Sequence, residues 1–262
     1  AGIYMKHPRI IRIKADMVDQ MDYDKILSMY QDRFKDASDF TFIFVGNVDV
    51  EKMKPVIAEY LGALPAVNRK ETFKDNKIEM RQGIYKNEFT KQQETPKASV
   101  FAFYNGDCKY DLRNNLLLSM TSQILDLVYT EKVREDEGGT YGVYVGGTLQ
   151  KYPKEKAILQ IIFDTAPEKK EKLMKIIFGE IDNITKTGPS EANLNKVKEY
   201  MLKKHTEDLK ENSYWMESID EYLFTGMNPI KDYEQTVNSI TAKDIQKFAD
   251  DLFKQKNEVE VS

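Results

Sequence analysis

The stretch VREDEGGTYGVYVGGTLQKY, Val133 to Tyr152, joins a helix-like run to a strand-like one. Ahead of it, RNNLLLSMTSQILDLVYTEKVRED carries Leu116, Leu117, Met120, Ile124, Leu127 and Val128 at helical spacing. Inside it, Gly138-Gly139 lets the chain reverse. Tyr141, Val143 and Val145 then alternate with Gly142, Tyr144 and Gly146, the two-residue period of a strand with gaps on one face. Glycine in a strand gives up packing and backbone entropy, and often marks the close approach of another backbone. The pattern reads as a sheet edge on which a peptide chain can lie.

The flanking segments supply the rest of a layer. SVFAFYN before the long helix and AILQIIFDT after the glycine-rich strand are strand patterns. EKKEKLMKIIFGEIDNIT is an amphipathic helix with Leu173, Ile176, Ile177, Glu180 and Ile184 along one side. Ser190 opens a further helix as its cap, SYWMESIDEYLFTG stops at Gly226, Thr241 caps another, and NEVEVS closes as a short strand. Strands interleaved with several helices predict an α+β fold, an antiparallel sheet with helices packed on one face, over residues 84–262.

Residues 1–65 read differently. YDKILSMYQDRF is helical, FTFIFVGNVD reads as a buried strand from Phe40 to Val45, and DVEKMKPVIAEYLGALP is a helix capped by Asp49. Pro55 either kinks its first turn or marks its true start. A lone strand cannot form a sheet, so this piece is expected to be the C-terminal part of a preceding domain. Residues 66–83, polar and weakly periodic, read as a linker. The first residue is not Met, and the chain is expected to be a piece of something longer.

Bulk composition narrows the function classes. A formal charge of −4 argues against nucleic acid as a partner, because a duplex binder concentrates basic charge on one face. No run approaches the roughly 20 apolar residues of a membrane helix, and AGIYMKHPRI lacks a signal-peptide design. The lysine clusters around Lys169 and Lys203 read as solvated helix surface. Cys108, the single cysteine, rules out an internal disulfide and reads as a buried thiol in apolar surroundings.

Chemical motifs are sparse. His7 and His205 have no partner His at helical spacing, and HTEDL does not reproduce an H-E-x-x-H face, so no metal ligand is assigned and His205 reads as a solvated helix residue. Phosphate-loop and serine-elbow motifs are missing. Glu135, Asp136 and Glu137, like Asp250 and Asp251, read as charged helix ends. Arg134 and Tyr141 remain. At the end of a helix and the start of a strand, they can meet over one surface, where fixed guanidinium donors and a phenol suit a peptide carbonyl or the oxyanion formed from it. The alternative, Arg134 paired to a neighbouring acid and Tyr141 in the core, is favoured by spacing alone.

Four segments in order then carry a resemblance. FTFIFVGNVDVEKMKPVIAEYLGALPA, SQILDLVYTEKVREDEGGTYGVYVGG, ITKTGPSEANLNKVKEYM and SITAKDIQKFA are similar to segments of the M16 zinc peptidases, the pitrilysin and insulin-degrading enzyme family, from about Tyr23 onward. The resemblance implies two halves closing around a chamber. The N-terminal half carries an inverted H-x-x-E-H zinc motif, and the C-terminal half carries an Arg and a Tyr seven residues apart that reach the substrate backbone. Arg134 and Tyr141 have that separation, with Gly138, Gly139, Gly142 and Tyr144 as the adjoining peptide-binding surface. H-x-x-E-H is missing here, so the resemblance implies no zinc in this chain, zinc in an N-terminal half of the same protein or a partner subunit, peptide substrates, and no hydrolysis by this chain alone. A catalytically inactive scaffold or peptide-binding chamber wall is the competing reading. The compartment stays open between periplasm and cytoplasm, and self-association of the piece is compatible with surfaces that other domains would cover.

Overall fold

The computed structural model describes residues 2–137 and 142–262, with the side chains of residues 134–137 outside that description. Two helices come first, α1 (Tyr23–Phe34) and α2 (Val50–Tyr60). A sheet of β1 (Ile84–Asn87), β2 (Ala98–Asp107), β3 (Val143–Gln150), β4 (Lys156–Thr165) and β5 (Glu258–Val261) follows, in the order β1-β5-β2-β4-β3. Every pairing is antiparallel except the parallel β1–β5 pair. The remaining helices are α3 (Leu112–Glu137), α4 (Lys170–Thr187), α5 (Glu191–Asp208), α6 (Asn212–Thr225), α7 (Tyr233–Ser239) and α8 (Ala242–Phe253). The fold is α+β with helices on one face of the sheet.

Strand β4 shows why the helices choose that face. Ala157, Leu159, Ile161, Phe163 and Thr165 alternate inward and are buried, while Ile158, Gln160, Ile162 and Asp164 point to the other side. Helix α3 lies across the inward side. It meets β3 and β4, and α4, α5, α7 and α8 pack around it. It is therefore apolar on most of its circumference, with Leu116, Leu117, Leu118, Met120, Ile124, Leu125, Tyr129 and Val133 buried. Its buried hydroxyls stay satisfied because Thr121 and Ser122 donate to the Leu117 and Leu118 carbonyls. Tyr129 Oη donates to the Ile177 carbonyl at 3.1 Å and ties α3 to α4. Each such apolar side chain contributes about 1.5–3 kcal/mol relative to leaving it in water.

The expected caps form. Ser190 accepts from Asn193 N, and Thr241 and Asp244 make a reciprocal capping box. Asp49 accepts from Lys52 N, and α2 starts at Val50, so Pro55 lies within the helix and does not mark its start. In α4 the buried side is Leu173, Ile177, Ile181 and Ile184, whereas Glu180 turns to Lys132 of α3.

One element departs from expectation. Phe40–Val45 is not a strand: Phe40, Phe42 and Phe44 are exposed and no strand lies beside them. Backbone groups without a ladder partner bond to water instead, so apolar content alone does not make a strand. Among residues 2–83 only Asp36 is buried. Its carboxylate accepts from Ser38 Oγ and from the amides of Ser38, Val67 and Arg69, clipping the end of α1 to the segment after α2. Those bonds, Ser38 first, hold the acid well below the usual carboxylate range.

Candidate functional site

Strand β3 pairs with β4 alone and forms the free edge of the sheet. Val143, Val145, Gly147 and Leu149 face α3, and Tyr144, Gly146 and Thr148 take the open face. Gly147 is needed because a side chain there would come within 2.7 Å of Leu118 Cγ and 2.6 Å of Ser122 Oγ, so its absence lets α3 settle on the edge strand. Gly146 serves the other face, where Tyr144 folds over it and a Cβ would fall 2.9 Å from Tyr144 Cζ.

Across the open face Tyr144 stands beside Ile162, which stands beside Phe101, and that beside Val261. Tyr144 is 55% exposed and Phe101 38%. The opposite end of the same face is covered: Gly2 lies against Tyr85 and Val259, the Arg81 amide bonds to Ile3, and its guanidinium stacks 4.1 Å over Tyr85. The open end thus coincides with the edge strand.

Gly142 and Tyr144, two of the residues singled out from the sequence, line one shallow cavity of about 380 Å³ with Val143, Ile162, Phe163, Asp164 and Asp126. Gly142 has φ +91° and open space where a side chain would stand. Burial raises the Asp126 carboxyl above its ordinary value. Burial pushes Asp164 up as well, but hydrogen bonds from Lys97 and Ser99 outweigh it and hold the acid below normal. An unpaired strand edge beside an apolar, aromatic face can accept an extended peptide as a further strand. Gly138, Gly139 and Tyr141 lie outside the described residues, as does the side chain of Arg134.

The described side chains do not fit zinc. No three His, Cys, Asp or Glu among them gather to hold a metal ion. His205, expected in solvent, is instead buried: it stacks on Tyr233 with ring centroids 4.0 Å apart, and its Nδ1 lies 2.9 Å from Tyr214 Oη. The aromatics that cover it come from α6 and α7, nine and 28 residues further along, which local periodicity does not register. Cys108 is half-buried rather than fully enclosed. Its thiol is pushed up to about 11, by burial first and then by Asp111, Glu155 and Asp251, which disfavours the thiolate a nucleophile needs. No helix among the described residues is long and apolar enough to cross a membrane.

Known proteins share this architecture. Residues 20–201 match the family described as the peptidase M16 inactive domain. A zinc protease PQQL-like protein of Arabidopsis thaliana is 22% identical over 220 residues, which cover 79% of this chain and 23% of the relative. The chain thus spans about a quarter of the length of the curated relatives it matches. The periplasmic protease PqqL from Escherichia coli aligns in structure with a TM-score of 0.78 and 17% identity, over 95% of this chain and 28% of that one. The peptidase M16 inactive domain from Pseudomonas fluorescens aligns with a TM-score of 0.72 and 19% identity, over 99% and 62%. At these identities the two structures speak for the fold, and the family match, over more than half of the chain, speaks for descent: this chain belongs to the peptidase M16 family, in its inactive-domain branch.

Proposed function

We propose that the chain is the substrate-holding, non-zinc portion of a zinc-dependent metalloendopeptidase. In this reading Arg134 and Tyr141 donate hydrogen bonds to the scissile carbonyl and to the oxyanion that forms from it. Gly138, Gly139, Gly142 and Tyr144 give the peptide backbone close access. The observation that carries the reading is the place of Gly142 and Tyr144: they open the free edge strand, next after the segment that follows α3, on the uncovered end of the sheet. Zinc belongs to an N-terminal half of the same protein or to a partner subunit, a reading supported by the relative named a zinc protease. Residues 1–65 are then the tail of a preceding domain, with 66–83 as linker. In support, α1 and α2 bury no side chain, and Phe40, Phe42 and Phe44 are exposed with no strand beside them among the described residues.

The test is complementation. Mixed with the zinc-carrying half, the chain restores peptide cleavage, and Arg134→Ala or Tyr141→Phe then lowers turnover by roughly ten- to a thousandfold, the scale of an oxyanion donor. Full turnover in both variants removes their role. A second reading, a catalytically inactive chamber wall that binds peptides, is favoured by the family's own description as an inactive domain. It predicts peptide binding without cleavage in the reassembled protein.

A further inference from the structure

Helix α6 meets the domain along a polar line. Tyr214, Ser218, Glu221 and Thr225 follow i, i+4, i+7 and i+11 and so share one side, and Ser218 and Thr225 are the buried residues of this helix. At its C-terminal end Tyr110 and Thr225 donate to the Glu221 carboxylate, and Lys151 donates to the Thr225 carbonyl. At its N-terminal end Tyr214 Oη lies 2.9 Å from Nδ1 of His205, and Trp215 Nε1 donates to the Leu209 carbonyl at 2.8 Å. Water replaces hydrogen bonds at little net cost, so a helix seated in this way belongs with the elements that open first.

His205 sits at the corner where α5 turns into α6. Tyr233 of α7 lies flat against its ring, and Tyr214 of α6 meets the ring edge-on with centroids 5.8 Å apart, which leaves His205 5% exposed. A neutral ring satisfies Tyr214 in either tautomer, whereas a second ring proton puts a charge into this enclosure. The acids that face it are Asp208 of α5, whose carboxylate is engaged by Lys204, and Glu234 of α7, which is exposed. From α6 it meets the phenol of Tyr214, whose own proton is held more tightly through burial and Asp208. Burial outweighs both acids and keeps the affinity of His205 for the second proton below its ordinary value. Helix α7 is anchored in the core by Val237, so the α6 side, held by hydrogen bonds, is the one that yields. We infer that the α5–α6 corner is a pH-operated latch: closed while His205 is neutral, it opens on the α6 side when His205 takes a second proton, Tyr214 leaves the ring and water reaches the imidazolium. Nothing in this latch depends on the peptide function proposed above.

Trp215, the one tryptophan of the chain, stands on the latch itself, next to Tyr214 and bonded across the corner to Leu209. The intact chain is taken from about pH 7.5 to about pH 5, the range in which histidine titrates. The Trp215 emission maximum and its quenching by acrylamide are followed, with far-UV circular dichroism alongside. A single one-proton step is expected, centred below the ordinary histidine value of 6.5, with a red shift and stronger quenching while the circular dichroism holds. In His205→Gln, whose amide stays neutral, the step vanishes. Glu234→Gln removes the stronger of the two acids from an exposed position and moves the step to lower pH, which keeps the test open even where His205→Gln fails to fold. A ring needed for packing alone would give no such displacement. The latch is overturned by the lack of any step down to about pH 5, by a step that persists in His205→Gln, or by one that Glu234→Gln leaves in place. Loss of the far-UV signal within the same step overturns it too, since the whole chain would then be unfolding.

Discussion

Helices α2 and α8 differ by one residue in length, 11 against 12, and each opens on a side chain that accepts its third amide, Asp49 in one and Thr241 in the other. Yet α8 buries Ile245, Phe248, Ala249 and Leu252, and α2 buries nothing. The contrast extends to the regions they belong to. From residue 84 onward, side chains close on a sheet. Before it, helices of equal local quality flank phenylalanines that face water, and a single buried carboxylate, Asp36, joins the ends. Capping and periodicity write a helix, but only a complementary surface gives it stability in water. The first region leaves its apolar side chains in water, and the second closes them into a core.

The largest effect that can break this contrast is a cavity. Leu159→Ala, at a fully buried position under α3, should cost about 2–5 kcal/mol of unfolding free energy in denaturant titration. Ile26→Ala in α1, which is 53% exposed, should cost less than about 0.5 kcal/mol. Hydrogen exchange should agree, with α1 and α2 amides exchanging far faster than those of α3. Equal costs at the two positions would mean that the first region has a core of its own.

A smaller effect tests the edge strand, where two adjacent glycines face opposite ways. Gly147→Ala pushes a methyl into Leu118 and Ser122 of a packed helix and should cost about 1–3 kcal/mol. Gly146→Ala meets only the exposed Tyr144 ring, which can swing aside, and should stay within about 1 kcal/mol. Similar losses at both would show that α3 does not rest on the strand as closely as 2.7 Å implies.

What could be read from the sequence follows the same divide. The caps at Asp49, Ser190 and Thr241 and the alternation of β4 are local signals, and they match the structure. Strand β1 was not legible: IYKN has no alternation to speak of, and it exists because β5, with Glu258 opposite Ile84, lies 174 residues away. Helix α7, seven residues long, escaped for want of length. Phe40–Val45 misled because a buried strand's composition was present without the neighbours that bury it. At the candidate site, the glycine spacing after Tyr141 did disclose the free edge, since small residues on both faces of one strand signal close approach. The role proposed for Arg134 and Tyr141 rests on resemblance and not on spacing, which by itself favours an ordinary ion pair and a core tyrosine.

The two histidines sharpen the comparison with the smallest effect. His7 lies in the exposed first region, where its Nδ1 accepts from the Arg9 amide at 3.2 Å. His205 lies between α5, α6 and α7, against Tyr214 and Tyr233, with Asp208 and Glu234 as the acids that reach it. Burial lowers its pKa, and the pull of Glu234 and Asp208 does not make up the difference. Because the folded state holds the proton less well than the unfolded chain, acid favours unfolding. The contribution is intact above the unfolded value near 6.5, is lost as pH falls through it, and levels off once the folded group is protonated too. As pH is lowered from about 7.5 to 5.5, His205 should contribute a loss of stability, the sign set by its lowered pKa. His205→Gln should remove that contribution from the pH profile of denaturant midpoints. A profile that His205→Gln left unchanged would mean that the proton acts elsewhere than at the packed joint of α5, α6 and α7, and the burial of His205 would not be the cause.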